Sequence, residues 1–67
     1  MTRGEELKKL IKDSGVSIVF LAEKLGCSRG RIYAILDNAE CSASEIAGLS
    51  KWLHMTNEQR DHIFLSE

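Results

Sequence analysis

The hydrogen-bond donors of residues 28–38 are the side chains of this sequence best suited to chemistry, and the chemistry they favour is recognition of a nucleic acid. Arg29 and Arg31 each carry a planar guanidinium, whose paired N–H groups match the O6 and N7 acceptors of guanine or two oxygens of a phosphate. Tyr33 can pack against a thymine methyl group or donate its hydroxyl proton to a phosphate oxygen. These side chains act together only if one structural element presents them on a single surface.

A helix, a three-residue turn and a second helix are predicted for residues 17–36. Ala22 permits a close approach of two helices, and Gly26 can adopt the positive φ that ends the first of them. Ser28 then offers an N-cap hydroxyl to the second helix. A helix-turn-helix of this shape typically inserts its second helix into the major groove of DNA, although a helical hairpin inside any small bundle has the same pattern. Apolar contacts between the two helices are expected from Leu21, Leu25, Ile32 and Ile35.

Capping signals predict three further helices. In a capping box, the hydroxyl of the N-cap residue accepts the backbone N–H of the residue three positions later, and the acid or amide side chain of that residue accepts the N–H of the N-cap. Three pairs in the sequence match this pattern: Thr2 with Glu5, Ser42 with Glu45, and Thr56 with Gln59. Gly15 is expected to end the first helix, and the third should run from about Arg29 to Leu36. The predicted fold class is therefore all-α, a compact bundle of five short helices with a helix-turn-helix at helices 2 and 3. Residues 1–67 form a single domain in this prediction.

Length and composition agree with one small helical domain. The chain has 67 residues, of which 43% are apolar and none is proline, and this length is near the lower limit for a self-sufficient core. No apolar run approaches the ~20 residues that span a bilayer, and no signal peptide is recognised, so we expect a soluble, cytoplasmic protein. Cys27 and Cys41 are too few for a disulfide scaffold and are expected to be reduced thiols.

The distribution of charge favours nucleic-acid binding more than the net charge does. The net charge is −1, which argues mildly against such a partner. Residues 1–36, however, contain seven basic and four acidic residues, whereas residues 37–67 contain two basic and six acidic ones. The predicted helix-turn-helix therefore lies in the basic half of the chain, as expected for one DNA-facing surface.

The remaining chemistry-bearing residues do not form a recognisable site. His54 and His62 lie eight residues apart across a predicted helix break, and together with the two cysteines they show no zinc-ligand spacing. No nucleophile or carboxylate stands at a diagnostic spacing beside either histidine. Trp52 falls at helical spacing with other apolar residues and is expected in the core. The sequence therefore predicts no enzyme, no metal, no cofactor and no small-molecule substrate.

The order of the five helices resembles the lambda-repressor-like (Cro/CI, or XRE) DNA-binding domain over essentially the whole chain. The likeness is strongest to small phage and prophage repressor-type proteins. In those, a segment similar to 43–46 opens the fourth helix, and one similar to 56–60 leads into a terminal Ile-Phe, here Ile63-Phe64. The resemblance implies a transcriptional repressor that binds palindromic operators in double-stranded DNA as a homodimer.

The resemblance also implies which residues contact DNA. Base contacts in the family come from the first residues of the second helix of the motif and from one residue a turn later, and a helical wheel independently turns Gly30 and Ala34 outward. The N-termini of both helices of the motif can meet phosphates through their N–H groups. The predicted DNA-contacting residues are Ser17, Ser28, Arg29, Gly30, Arg31, Tyr33, Ala34 and Asn38.

Two departures from the family keep an alternative open. Ile18 stands where members often have a glutamine that binds a phosphate, and Gly30 and Ala34 carry no hydrogen-bonding side chain. The alternative is a protein-interaction module of the same fold, an antirepressor or adaptor that no longer recognises DNA and uses its apolar C-terminal face. The apolar residues 63–65 either close the core or form a dimer seam with the fourth helix.

Overall fold

Each helix begins where the sequence supplies a capping side chain. In the computed structural model, which describes residues 1–65, the hydroxyl of each N-cap residue accepts the backbone N–H three residues later. All three predicted capping boxes are complete. The helices are α1 (Arg3–Ser14), α2 (Ile18–Leu25), α3 (Arg29–Leu36), α4 (Ala43–Trp52) and α5 (Asn57–Phe64). The prediction of an all-helical fold of five short helices is therefore confirmed for the described residues.

Helix α3 lies against both α1 and α2, while α4 packs on α2 and α5, and α5 returns to α1. Gly26 has a φ of 69°, so three residues are enough to join α2 to α3. Every helix contributes at least one apolar residue to the core that is at most 8% exposed. These core residues include Leu7, Leu21, Ile32, Ile35, Leu49 and Ile63. The bundle thus holds α3 by one face only and leaves its opposite face to solvent.

The start of α1 is hydrogen-bonded to the turn that follows α3, a contact that the sequence does not predict. The Gly4 N–H donates a 2.9 Å hydrogen bond to Oδ1 of Asn38, and Nη2 of Arg3 donates to the carbonyl oxygens of Asn38 and Ala39. A Cβ atom on Gly4 would overlap the carbonyl oxygen of Leu36. Only glycine therefore allows α1 to cross α3 this closely.

The last helix closes the core with two of its three consecutive apolar residues. Ile63 is buried and Phe64 packs half-buried against the core, whereas Leu65 is 68% exposed. Trp52 is likewise half-buried, in edge-to-face contact with Phe20 at a centroid distance of 5.5 Å. Its predicted place at the core is confirmed. No helix within residues 1–65 has the length and apolar character to cross a bilayer.

Candidate nucleic-acid interface

Helix α3 divides into a buried face and a solvent face. Ile32, Ile35 and Leu36 are buried in the core, so a helical repeat of 3.6 residues turns positions 29, 30, 33 and 34 the other way. We call residues Arg29, Gly30, Tyr33 and Ala34 the outer face of α3. Arg29 and Gly30 are exposed, and 59% of Tyr33 is exposed.

Ala34 is less exposed than the helical wheel predicted. It is half-buried, because the chain leaving α3 turns back beside it and the Ala39 N–H donates to the Ala34 carbonyl at 3.0 Å. Asn38 makes this reversal possible with a φ of 69°. The most outward part of α3 therefore lies along Gly30 and Tyr33 rather than along Gly30 and Ala34.

Arg29 is the cation that the fold leaves available on α3. It is the first residue of the helix and is exposed, and its guanidinium forms no hydrogen bond or ion pair with any other residue in the described range 1–65. A positive charge in the first turn of a helix gains nothing from the helix dipole, which favours anions there. The stability of α3 therefore gives no reason for an arginine at this position.

Arg31, the second predicted base contact, is instead paired with other residues of the protein. Its Nε donates to Oε2 of Glu45 and its Nη2 to Oε1, both at 2.7 Å, and Nη2 also donates to the Glu40 carbonyl at 2.6 Å. These bonds tie α3 to the start of α4. The sequence does not reveal this pairing, because the two residues are 14 positions apart and the local pattern assigns Glu45 only the capping of Ser42.

The Arg31–Glu45 pair shifts the titration of both groups. The hydrogen bonds from Arg31, and then the one from the Ser42 N–H, lower the pKa of Glu45 from 4.5 to about 2. The same hydrogen bond raises the pKa of Arg31 above its ordinary value. Arg31 and Glu45 therefore both stay charged and paired at neutral pH, and the pair helps to position α3.

Three other polar residues predicted to contact DNA, Ser17, Ser28 and Asn38, also have internal partners. Ser17 Oγ accepts the Phe20 N–H at 3.0 Å, and Ser28 Oγ accepts the Arg31 N–H at 3.1 Å. Each serine is exposed at a helix start, and each hydroxyl keeps a proton that it can donate outward. Asn38 differs, because its side-chain oxygen holds Gly4 and thereby secures α1.

Ile18 is a core contact and not a vacant phosphate site. It packs against the core at the start of α2, and the exposed apolar side chain there is Val19, at 54%. Ile18 therefore contributes to the packing of the core.

None of the protein-family models, curated proteins or solved structures that were compared with this chain matches it. The resemblance to lambda-repressor-like domains accordingly stays a prediction, and the functional argument depends on the geometry of α2 and α3.

The Arg31–Glu45 pair predicts a specific pH dependence of stability. Glu45→Gln should lower the melting temperature by roughly 5 °C at pH 7, a modest effect because Arg31 remains 36% exposed and solvent screens the pair. The pKa of Glu45 is lower in the folded state than in the unfolded state. The stability that the charged carboxylate contributes to the fold is therefore complete above about pH 4.5 and is lost as the pH falls towards about 2. Melting curves of the two proteins should therefore converge in acid.

Glu40→Gln is the matched control for this experiment. It removes the same charge from a neighbouring exposed position, while the Glu40 carbonyl that accepts from Arg31 belongs to the backbone and is retained. If both variants lost equal stability, or if the Glu45→Gln difference persisted at pH 2, the pair would not have the assigned role.

Proposed function

We propose that this protein is a sequence-specific DNA-binding transcriptional regulator, a repressor of the Cro/CI type, in which α2 and α3 form the helix-turn-helix. The observation that carries the proposal is the outer face of α3. It combines an unpartnered guanidinium, an exposed tyrosine and two residues with almost no side chain on a helix that is rigidly held from behind. Such a face suits the major groove, where base edges offer acceptors and methyl groups.

The small residues allow the backbone of α3 to approach the bases. A Cβ atom on Gly30 would meet only the Ser28 hydroxyl, at 3.7 Å, so the space beside Gly30 is open. With no bulk at position 30, Arg29 can extend past it to the floor of the groove and place its paired N–H groups on guanine O6 and N7. Tyr33 then lies one helical turn further along the same groove.

The charges at the helix ends support the same orientation. Acidic residues occupy the first turns of α1, α4 and α5, where they suit the helix dipole, whereas the first turns of α2 and α3 contain none. The N-termini of α2 and α3 are therefore the ends that a phosphate can approach without repulsion. Asp37, exposed at the opposite end of α3, disfavours phosphate there. We infer that α3 enters the groove with its N-terminal end.

Repression in this proposal results from occupancy of an operator. The chain would act as a homodimer on a palindromic site, with its two α3 helices about 34 Å apart, one turn of DNA. A phage or prophage gene circuit in a bacterial cytoplasm is the setting that the resemblance implies. Because the charge of the chain is nearly balanced, non-specific affinity should be weak and specificity should depend on α3.

Selection of random duplex DNA by the purified protein at low salt tests the proposal. The proposal predicts enrichment of a palindromic motif with a guanine in each half-site. The folded state of the sample is checked by circular dichroism before selection. A folded sample that enriches no sequence over the input pool would contradict the proposed function.

The alternative function as a protein-interaction module is favoured by one observation. A groove of about 380 Å³ lies between α1 and α5, with the apolar side chains of Met1, Leu10 and Ile63 in its lining. Met1 is 79% exposed. If DNA selection fails, a protein partner at this groove becomes the better account of the molecule.

A further inference from the structure

We infer that the DNA sites recognised by α3 have a single guanine per half-site and, within about two base pairs of it, a thymine that is recognised through its methyl group. This inference rests on the proposed function and specifies its target. It follows from the number of hydrogen-bonding groups on the outer face of α3 and from the apolar character of the remainder.

Only one strong base-recognising donor is present on α3. The guanidinium of Arg31 is engaged by the Glu45 carboxylate and the Glu40 carbonyl: the Nε–H and both N–H groups of Nη2 are already donating, so only Nη1 remains and no paired donors are left for a bidentate contact. Arg29 has no such partner within residues 1–65. The bidentate contact of arginine with guanine is the commonest specific contact in the major groove. One available guanidinium, that of Arg29, therefore corresponds to one guanine per half-site.

The rest of the outer face is apolar. Gly30 and Ala34 have no polar side-chain atoms, and 59% of Tyr33, including ring surface, faces solvent. The thymine methyl is the apolar group that base edges display in the major groove, and small or aromatic side chains recognise it by contact. Gly30 leaves the space between Arg29 and Tyr33 open, since the nearest atom to an added Cβ lies at 3.7 Å.

Helix geometry sets the distance between the two features. Arg29 and Tyr33 are four residues apart, which corresponds to a rise of about 6 Å along α3. Successive base pairs are stacked about 3.4 Å apart along the DNA axis, and a helix that lies in the major groove is oblique to that axis. The thymine contacted by Tyr33 therefore lies within about two base pairs of the guanine contacted by Arg29.

Two random pools, one containing thymine and one containing deoxyuracil in its place, test the inference directly. Deoxyuracil pairs as thymine does but lacks the 5-methyl group. We expect the thymine pool to enrich one guanine and a nearby thymine in each half-site, and the deoxyuracil pool to keep the guanine and lose the second preference. On a duplex from the thymine pool, each recognised methyl that is removed should weaken binding about fourfold, whereas deoxyuracil in the flanking sequence should have no effect.

Tyr33 variants separate ring contact from hydroxyl contact. Tyr33→Phe should retain the thymine-to-deoxyuracil affinity ratio and Tyr33→Ala should bring it towards one; both should fold, because the side chain is 59% exposed. An unchanged ratio in Tyr33→Ala, equal motifs from the two pools, or two guanines per half-site that depend on Arg31 would each overturn the inference while leaving DNA binding intact. Failure of both pools to enrich any motif would instead reject the proposed function itself.

Discussion

Replacing Gly4 by alanine should destabilise the fold by about 3 kcal/mol, a large share of the stability of a domain this small. The added methyl group would overlap the backbone carbonyl of Leu36, which cannot move without displacing the end of α3. The hydrogen bond from Gly4 to Asn38 would be stretched at the same time. Urea denaturation followed by circular dichroism at 222 nm measures the loss, and the variant should unfold early or show no cooperative transition.

Gly30→Ala provides the matched control, since it adds the same methyl group to another helical glycine. Its Cβ would meet only the Ser28 hydroxyl, at 3.7 Å, and alanine favours a helix over glycine by up to about 1 kcal/mol. This variant should be at least as stable as the wild type. Equal stability of the two variants would show that α1 does not cross α3 as described.

Arg29→Ala should weaken specific DNA binding by roughly 5- to 150-fold, because a bidentate arginine–guanine contact contributes about 1–3 kcal/mol of discrimination. The free energy of unfolding should be unchanged, since Arg29 is exposed and has no partner within the described chain. Competition binding against duplexes with each base at the guanine position measures the effect. The variant should accept all four bases nearly equally at that position.

Arg60→Ala separates this loss from the general effect of removing a positive charge. Arg60 lies on α5, which packs on α1 and α4 and makes no contact of note with α2 or α3. The Arg60→Ala substitution should weaken DNA binding slightly and leave the base preference unchanged. If the two arginine variants behaved alike, or if Arg29→Ala kept its preference for guanine, the assignment of Arg29 as the base-contacting residue would be wrong.

The boundaries of the helices could be predicted because their causes are local. A capping box needs only two side chains three residues apart, so Thr2 with Glu5 fixes the start of α1 from sequence alone. The same holds for Ser28 at the start of α3, whose predicted range of Arg29–Leu36 is confirmed. The apolar spacing within α3 then determines which side faces the core, and hence which side remains for a partner.

The contacts that assign roles to individual polar residues could not be predicted, because they join distant parts of the chain. Arg31 and Glu45 are 14 residues apart, and Gly4 and Asn38 are 34 apart. An arginine in the first turn of α3 gives the same sequence signal whether it faces DNA or pairs with the next helix. Only the packing of α4 shows that Arg31 is committed and Arg29 is not.

The central claim is that the N-terminal half of α3 is the DNA interface, and amide chemical-shift mapping tests it most directly. A mixed-sequence duplex titrated at low salt into isotopically labelled protein needs only weak binding to report the contact surface. The account predicts that the largest shifts fall on residues 28–34 and around Ser17, with little change on α5. Shifts centred on α5, or an unchanged spectrum at saturating DNA, would contradict it.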